Sequence, residues 1–166
     1  EQQIQASMPW ELLQAYEKGK LNANQFYEQL LINCGSQAAM DLTTFKALWQ
    51  DVLFPNPEAI ALLQRVSQDF PVWLLSNTND FHYDLLLRDF PFMQWVTGGI
   101  YSFMEGSMKP EAHIYEQAIK QCGFPAGEIL FIDDLEANVL AARAVGLQAV
   151  QYQNFAHFSH TIRLQY

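Results

Sequence analysis

The chain has 166 residues, 50% of them hydrophobic and 14% aromatic, which supplies one sizeable core and excludes wholesale disorder. Its 9 basic and 18 acidic residues leave a net charge of -9, which argues against a nucleic-acid backbone as partner. No stretch approaches the roughly 18 apolar residues of a membrane span, the first residues lack the order of a secretory signal, and Cys34 and Cys122 make no disulfide framework or paired metal motif, so a cytoplasmic protein with buried or inert cysteines is expected.

Residues 1–54 read as a small helical module. Trp10, Leu13 and Glu17 frame a first helix that stops at Gly19. Phe26, Leu30 and Leu31 have helical spacing in a second, ended by Gly35, and Phe45, Leu48, Trp49 and Val52 in a third. Pro55 and Pro57 mark a junction with the main body, 55–166. There the pattern alternates. Ala59, Ile60, Leu63 and Val66 predict a helix over roughly 57–68. The apolar run Pro71–Leu75 predicts a strand buried on both faces. A helix with Phe81, Leu85 and Leu86 follows. Trp95–Tyr101 is a weaker strand, interrupted by Gly98 and Gly99. Ile114, Ala118 and Cys122 stripe a helix over 111–121, and Ile129–Ile132 is a second buried strand. Leu135, Val139, Ala142 and Val145 mark a helix ending at Gly146, before a third strand over 147–152. Strands alternating with helices predict an α/β fold, a Rossmann-like parallel sheet with helices on both faces. The tail with His157 and His160 has no assignment.

Ligands of open parallel sheets bind beyond the carboxyl ends of the strands. After the first strand come Ser76 and Asn77. After the second come Asp133 and Asp134. Lys109-Pro110 precedes the helix between them. Adjacent carboxylates suit Mg²⁺, since they repel one another unless a cation is near. Ser76 and Asn77 suit phosphate oxygens, and Lys109 is a compact charge for a phosphate or a carboxylate nucleophile. The bland alternatives are helix starts for Ser76, Asn77 and Asn79, a helix cap for Asp134, and a solvated side chain for Lys109, with Pro110 in the first turn of the next helix. His82 and His113 read as solvated or helix-surface residues. Trp10, Tyr16 and Trp49 read more readily as core than as site residues.

Three segments together carry a resemblance: Leu74-Leu75-Ser76-Asn77-Thr78-Asn79, Met108-Lys109-Pro110-Glu111-Ala112-His113-Ile114-Tyr115, and Phe131-Ile132-Asp133-Asp134-Leu135-Glu136-Ala137-Asn138-Val139. The chain resembles the haloacid dehalogenase-like superfamily over roughly Pro9 to Tyr152, and within it the bacterial glucose-1-phosphate-type sugar phosphatases and the phosphatase domain of soluble epoxide hydrolase. The resemblance implies Ser76, Asn77 and Lys109 as phosphate binders, Lys109 as a catalytic group, Asp133 and Asp134 as metal acids, and residues 1–54 as part of a cap that includes Glu17-Lys18-Gly19-Lys20. It implies a Mg²⁺-dependent phosphatase acting on a small phosphorylated metabolite, a sugar phosphate, through an aspartyl-phosphate.

One part of that pattern has no counterpart. The family's nucleophilic aspartate ends a strand ahead of the cap, and Asp41, Asp51 and Asp69 follow no strand-like run. A leading segment of about 30–40 residues, carrying a strand and a helix of ordinary length, is the expected source. That strand is central in the family's sheet, so its absence leaves two inner edges open to self-association. A non-catalytic binding protein on the same fold is the alternative. A dehalogenase of the superfamily needs no metal, which the acid pair argues against. A two-component receiver carries its acids before its hydroxyl and lysine, the reverse of the order here.

Overall fold

The computed structural model describes residues 9–33, 35 and 40–154. Cys34, His157 and His160 lie outside the described residues. Among the described residues three helices come first, α1 (Trp10–Glu17), α2 (Ala23–Asn33) and α3 (Leu42–Gln50). Their starts are written locally. Asn22 and Gln25 form a reciprocal capping box, each side chain accepting the other's backbone N–H at 3.0 Å. The Asp41 carboxylate accepts from Thr44 N at 2.8 Å and starts α3. Val52 lies beyond α3 and is exposed.

The apolar stripes of these helices meet in a core of Leu12, Tyr16, Phe26, Leu30 and Phe45, completed by Phe81 of a later helix, α5 (Asp80–Asp89). Tyr16 stacks on Phe26 with ring centroids 4.2 Å apart. Each such ring buried contributes about 1.5–3 kcal/mol. Polar groups reinforce the join to α5. Gln50 donates to the Phe81 carbonyl, and His82 Nε2 donates to the Trp49 carbonyl at 2.8 Å while its ring stacks on Trp49. The reading of His82 as a solvated residue is therefore corrected. Burial holds its ring below the ordinary histidine range, although the Trp49 contact acts the other way. His113 is exposed, as expected. Tyr16 is core and Trp49 packs against it, but Trp10 is 59% exposed because it stands on the outer face of α1.

The body follows with α4 (Pro57–Val66), β1 (Trp73–Ser76), α5, a 3₁₀ turn at Pro91–Trp95, β2 (Gly98–Tyr101), α6 (Ser102–Glu105) and α7 (Ala112–Cys122). After a 3₁₀ turn at Ala126–Glu128 come β3 (Leu130–Asp133), α8 (Glu136–Ala144) and β4 (Gln148–Gln151). The strands are parallel. β1 pairs with β2, Trp73 opposite Gly98 and Ser76 opposite Tyr101. β3 pairs with β4, Leu130 opposite Gln148 and Asp133 opposite Gln151. Among the described residues no ladder joins the two pairs. Ile100, Ile114, Tyr115, Ala118, Phe131, Val139, Ala142, Leu147 and Ala149 form one core beneath both, with Trp73 and Leu75 against it. This is the expected α/β architecture. No helix among the described residues is long and apolar enough to cross a membrane.

Three expectations change. The glycines do not interrupt β2. A side chain at Gly98 would overlap the Trp73 indole, so its absence leaves room for the neighbouring strand's ring. β1 is half-buried rather than buried, and Ile132 is 42% exposed, because among the described residues each of these strands has one ladder partner. Leu135 precedes α8 and is exposed instead of heading its buried stripe.

The turn between α1 and α2 touches the body directly. Gly19 has φ +64°, and a Cβ there would overlap the Phe103 carbonyl of α6. Gly19→Ala should therefore destabilise the protein by about 2–3 kcal/mol, from left-handed backbone strain together with backbone displacement. Urea unfolding measures it, and a loss below about 0.5 kcal/mol would show that the turn is free to move.

Candidate active site

The carboxyl ends of β1, β2 and β3 converge around one lysine. Asn77, the first residue after β1, grips the backbone of Lys109. Its Nδ2 donates to the Lys109 carbonyl at 2.9 Å, and its Oδ1 accepts from Lys109 N at 2.7 Å. An amide supplies one donor and one acceptor at the spacing of a peptide, so Asn77 serves as a one-residue strand partner. Ser102 fixes the same turn. Its buried hydroxyl accepts from Thr78 N at 2.9 Å and donates to Thr78 O at 3.0 Å. The helix-start alternative holds for Asn79, whose side chain caps α5 by accepting from His82 N, and not for Asn77. Ser76 is half-buried at the end of β1 and its hydroxyl has no hydrogen-bond partner among the described residues.

With its backbone held against the β1 turn, Lys109 reaches the other strand pair. Its Nζ donates to Asp133 Oδ2 at 2.6 Å, with the two side chains 13% and 4% exposed. The same ammonium lies 5.7 Å from the Phe131 ring centroid. The solvated-lysine alternative is thus excluded by burial and pairing. Asp133 Oδ1 accepts from Leu135 N at 2.9 Å and from Asn138 Nδ2 at 2.8 Å. Burial alone would raise the Asp133 carboxyl. Lys109, the Leu135 amide and Asn138 together outweigh burial and hold it below the usual carboxylate range. Asn138 is in turn fixed by the Tyr115 hydroxyl, which donates to its carbonyl at 3.0 Å.

Asp134 is exposed, and it does not cap α8. That role falls to the Leu135 backbone, and the acid that accepts from the helix start is Asp133. The repulsion expected between adjacent acids is relieved here by the Lys109 ammonium. Among the described residues no group of three His, Cys, Asp or Glu gathers as a metal cage. Two carboxylates at a strand end nonetheless fit Mg²⁺, which keeps waters and takes further oxygens from a substrate phosphate. Pro110 stands outside the first turn of α7, which begins at Ala112, and the Lys109–Pro110 peptide is cis.

Three supporting residues escaped the sequence reading. Asn138 carried a signal, since it interrupts the buried stripe of α8 beside Val139 and Ala142. Glu111 accepts from the Ser107 hydroxyl at 3.0 Å and pairs with Lys18 of the helical module, which shapes the loop bearing Lys109. Ser102 carried no sequence signal, because only the β1–β2 pairing brings it to Thr78. Asp41 caps α3, Asp51 follows α3, and Asp69 follows α4, so none of these acids ends a strand. Cys122 is half-buried and free, and burial pushes its thiol up.

A hydroxyl, an amide, a buried lysine and two acids thus lie at or near the carboxyl ends of the parallel strands of an α/β fold. The haloacid dehalogenase-like hydrolase family model matches residues 9–146, and the chain belongs to that family. It is 32% identical over 145 residues to the sesquiterpene phosphatase astK of Aspergillus oryzae, covering 85% of this chain and 70% of the relative. It is 29% identical over 154 residues to the D-ribitol-5-phosphate phosphatase of Bacteroides thetaiotaomicron, covering 87% and 73%. Among solved structures, a HAD family enzyme of Bacteroides thetaiotaomicron in complex with magnesium and inorganic phosphate superposes with a TM-score of 0.83 at 23% identity, covering 95% of this chain and 84% of that one.

Proposed function

We propose that the chain is the greater part of a Mg²⁺-dependent phosphatase for a small phosphorylated metabolite, a sugar phosphate. The observation that carries this reading is the continuous link from Asn77 through Lys109 to Asp133 at the strand ends. The family relationship and the two phosphatase relatives support it. Asp133 and Asp134 would hold Mg²⁺, which when bound offsets the charge on the phosphate oxygens. Ser76 and Asn77 hold those oxygens beside Lys109. Lys109 neutralises charge on the phosphate and on the attacking carboxylate. The nucleophile is an aspartate on a strand outside residues 1–166. Its carboxylate oxygen bonds to phosphorus as the ester oxygen leaves, and water then splits the aspartyl-phosphate. Residues 1–54 act as part of a cap over the site.

The full-length protein tests the metal assignment. Mg²⁺ should raise its melting temperature and switch on hydrolysis of phosphate monoesters, and Asp133→Asn with Asp134→Asn should abolish both effects. An unchanged Mg²⁺ shift in the double variant would overturn the metal assignment, and halide release from 2-haloacids without Mg²⁺ would overturn the reaction class.

A further inference from the structure

Among the described residues two ion pairs join the helical module to the body, Lys46 with Asp84 and Lys18 with Glu111. The first ties α3 to α5. The second lands two residues from Lys109, and its partners are 93 positions apart in the chain. Lys18 stands in a closed turn after α1. Its N–H donates to the Gln14 carbonyl at 2.9 Å, and Lys20 N donates to the Ala15 carbonyl at 2.8 Å. The neighbouring Gly19 lies close against the Phe103 carbonyl of α6. The Lys18 ammonium is thus presented from a fixed point, and its side chain is 19% exposed.

Glu111 closes the loop that carries Lys109. Its Oε2 accepts from the Ser107 hydroxyl at 3.0 Å and from Met108 N at 3.4 Å, while Glu111 N donates to the Met108 carbonyl at 2.8 Å. Its Oε1 takes the Lys18 ammonium. Burial alone would raise the Glu111 carboxyl. Lys18, the Ser107 hydroxyl and the Met108 amide outweigh burial and hold it below the usual carboxylate range, so it is charged at neutral pH. One carboxylate therefore divides its two oxygens between the loop and the helical module. On the other side of the loop, Asn77 grips the Lys109 backbone and the Lys109 ammonium reaches Asp133. A shift of the α1–α2 turn is passed to that ammonium through Glu111 and a loop of five residues, whereas a shift at Lys46 and Asp84 has no such route.

We propose that Lys18 and Glu111 are positioning residues for phosphoryl transfer: their ion pair sets the place of the 107–111 loop, and through it the place of the Lys109 ammonium. The inference rests on the phosphatase reading above. Its test uses the full-length protein with Mg²⁺ and two readouts, kcat and KM for acetyl phosphate and amide hydrogen exchange at Met108 and Lys109. Lys18→Met should lower kcat by about fivefold, the most that a partly exposed ion pair carries, with KM changed by less than about twofold. The same variant should speed exchange at the two amides by about fivefold. Lys18→Arg keeps a cation for the carboxylate and should hold both readouts within about twofold of the wild type. Glu111→Gln keeps an oxygen for Ser107 and Met108 but loses the charge, and Lys18→Met should add no further loss in that background. Lys46→Met, which removes the other ion pair, should leave kcat and loop exchange within about twofold. In an active protein, unchanged kcat or unchanged loop exchange in Lys18→Met overturns the positioning role alone. So does an equal loss in Lys46→Met, which would reduce the pair to general docking, or a full further loss from Lys18→Met on top of Glu111→Gln, which would make Lys18 a substrate contact. No turnover by the wild type overturns the phosphatase reading and the positioning role with it.

Discussion

Residues 1–166 are expected to hydrolyse no phosphate monoester, whereas the same residues preceded by an aspartate-bearing strand should hydrolyse small sugar phosphates with Mg²⁺. The proposed site supplies a clamp of Ser76, Asn77, Lys109 and two acids, and among the described residues Asp133 is the one acid that ends a strand. Groups that act as a unit lose nearly all of their rate advantage when one is missing, on the order of 10³–10⁶-fold. The sheet supports the same proposal. Between the β1–β2 and β3–β4 pairs the described residues form no ladder, yet Lys109 reaches across from the Asn77 turn to Asp133. A strand inserted between β1 and β3 would pair both open edges and place its carboxyl end beside Lys109. The 1–166 chain should also associate at micromolar concentration, since unpaired edges recruit other strands. Both lengths, verified by intact mass, are assayed on a monoester panel and by light scattering. Robust Mg²⁺-dependent turnover by residues 1–166 would place the nucleophile within them and refute the proposal.

Lys109→Met should destabilise the full-length protein by about 3 kcal/mol and lower kcat/KM by at least about 10²-fold. The stability loss comes from leaving the Asp133 carboxylate buried without its cation. Lys109→Met combined with Asp133→Asn should recover much of it, because the uncompensated charge is then gone, while activity stays lost. The pH dependence follows from the direction of the Asp133 shift. Its carboxyl is held below the ordinary 3.8 in the folded protein. Its contribution is therefore fully present above the unfolded value and is lost as pH falls through the lower folded value. Lys109→Met weakens that depression, so the variant's stability should fall less steeply than the wild type's below about pH 4. Urea unfolding between pH 3 and pH 7 measures both slopes. Equal slopes, or a double variant no more stable than Lys109→Met, would show that the pair carries no coupling.

Much of the candidate site was legible because strand-end chemistry is written in adjacent residues. Asp133 follows an apolar run, Asn77 follows another, and Lys109 precedes a helix, which placed all three at one sheet edge. What each does there was not legible. The pairing of Lys109 with Asp133 spans 24 residues and the Asn77 clamp spans 32, and no local pattern records such contacts. The adjacent acids suggested a cation, and the structure supplies a lysine beside one of them while the other faces solvent.

By itself the sequence determined the elements, because period, caps and glycine stops act within a few residues: Asn22 with Gln25, Asp41 with Thr44, and the turns at Gly19 and Gly146. It also determined the family, through three short segments in a set order. Which faces are covered depends on how the elements pack, so that Ile132 is exposed, Trp10 faces outward and His82 is tied to Trp49. Tertiary packing also made Phe81 part of the helical module's core and set Lys18 against Glu111. The physical reason is range. Capping and periodicity are settled by neighbours along the chain, while burial and side-chain pairing depend on which distant surfaces the folded chain brings together.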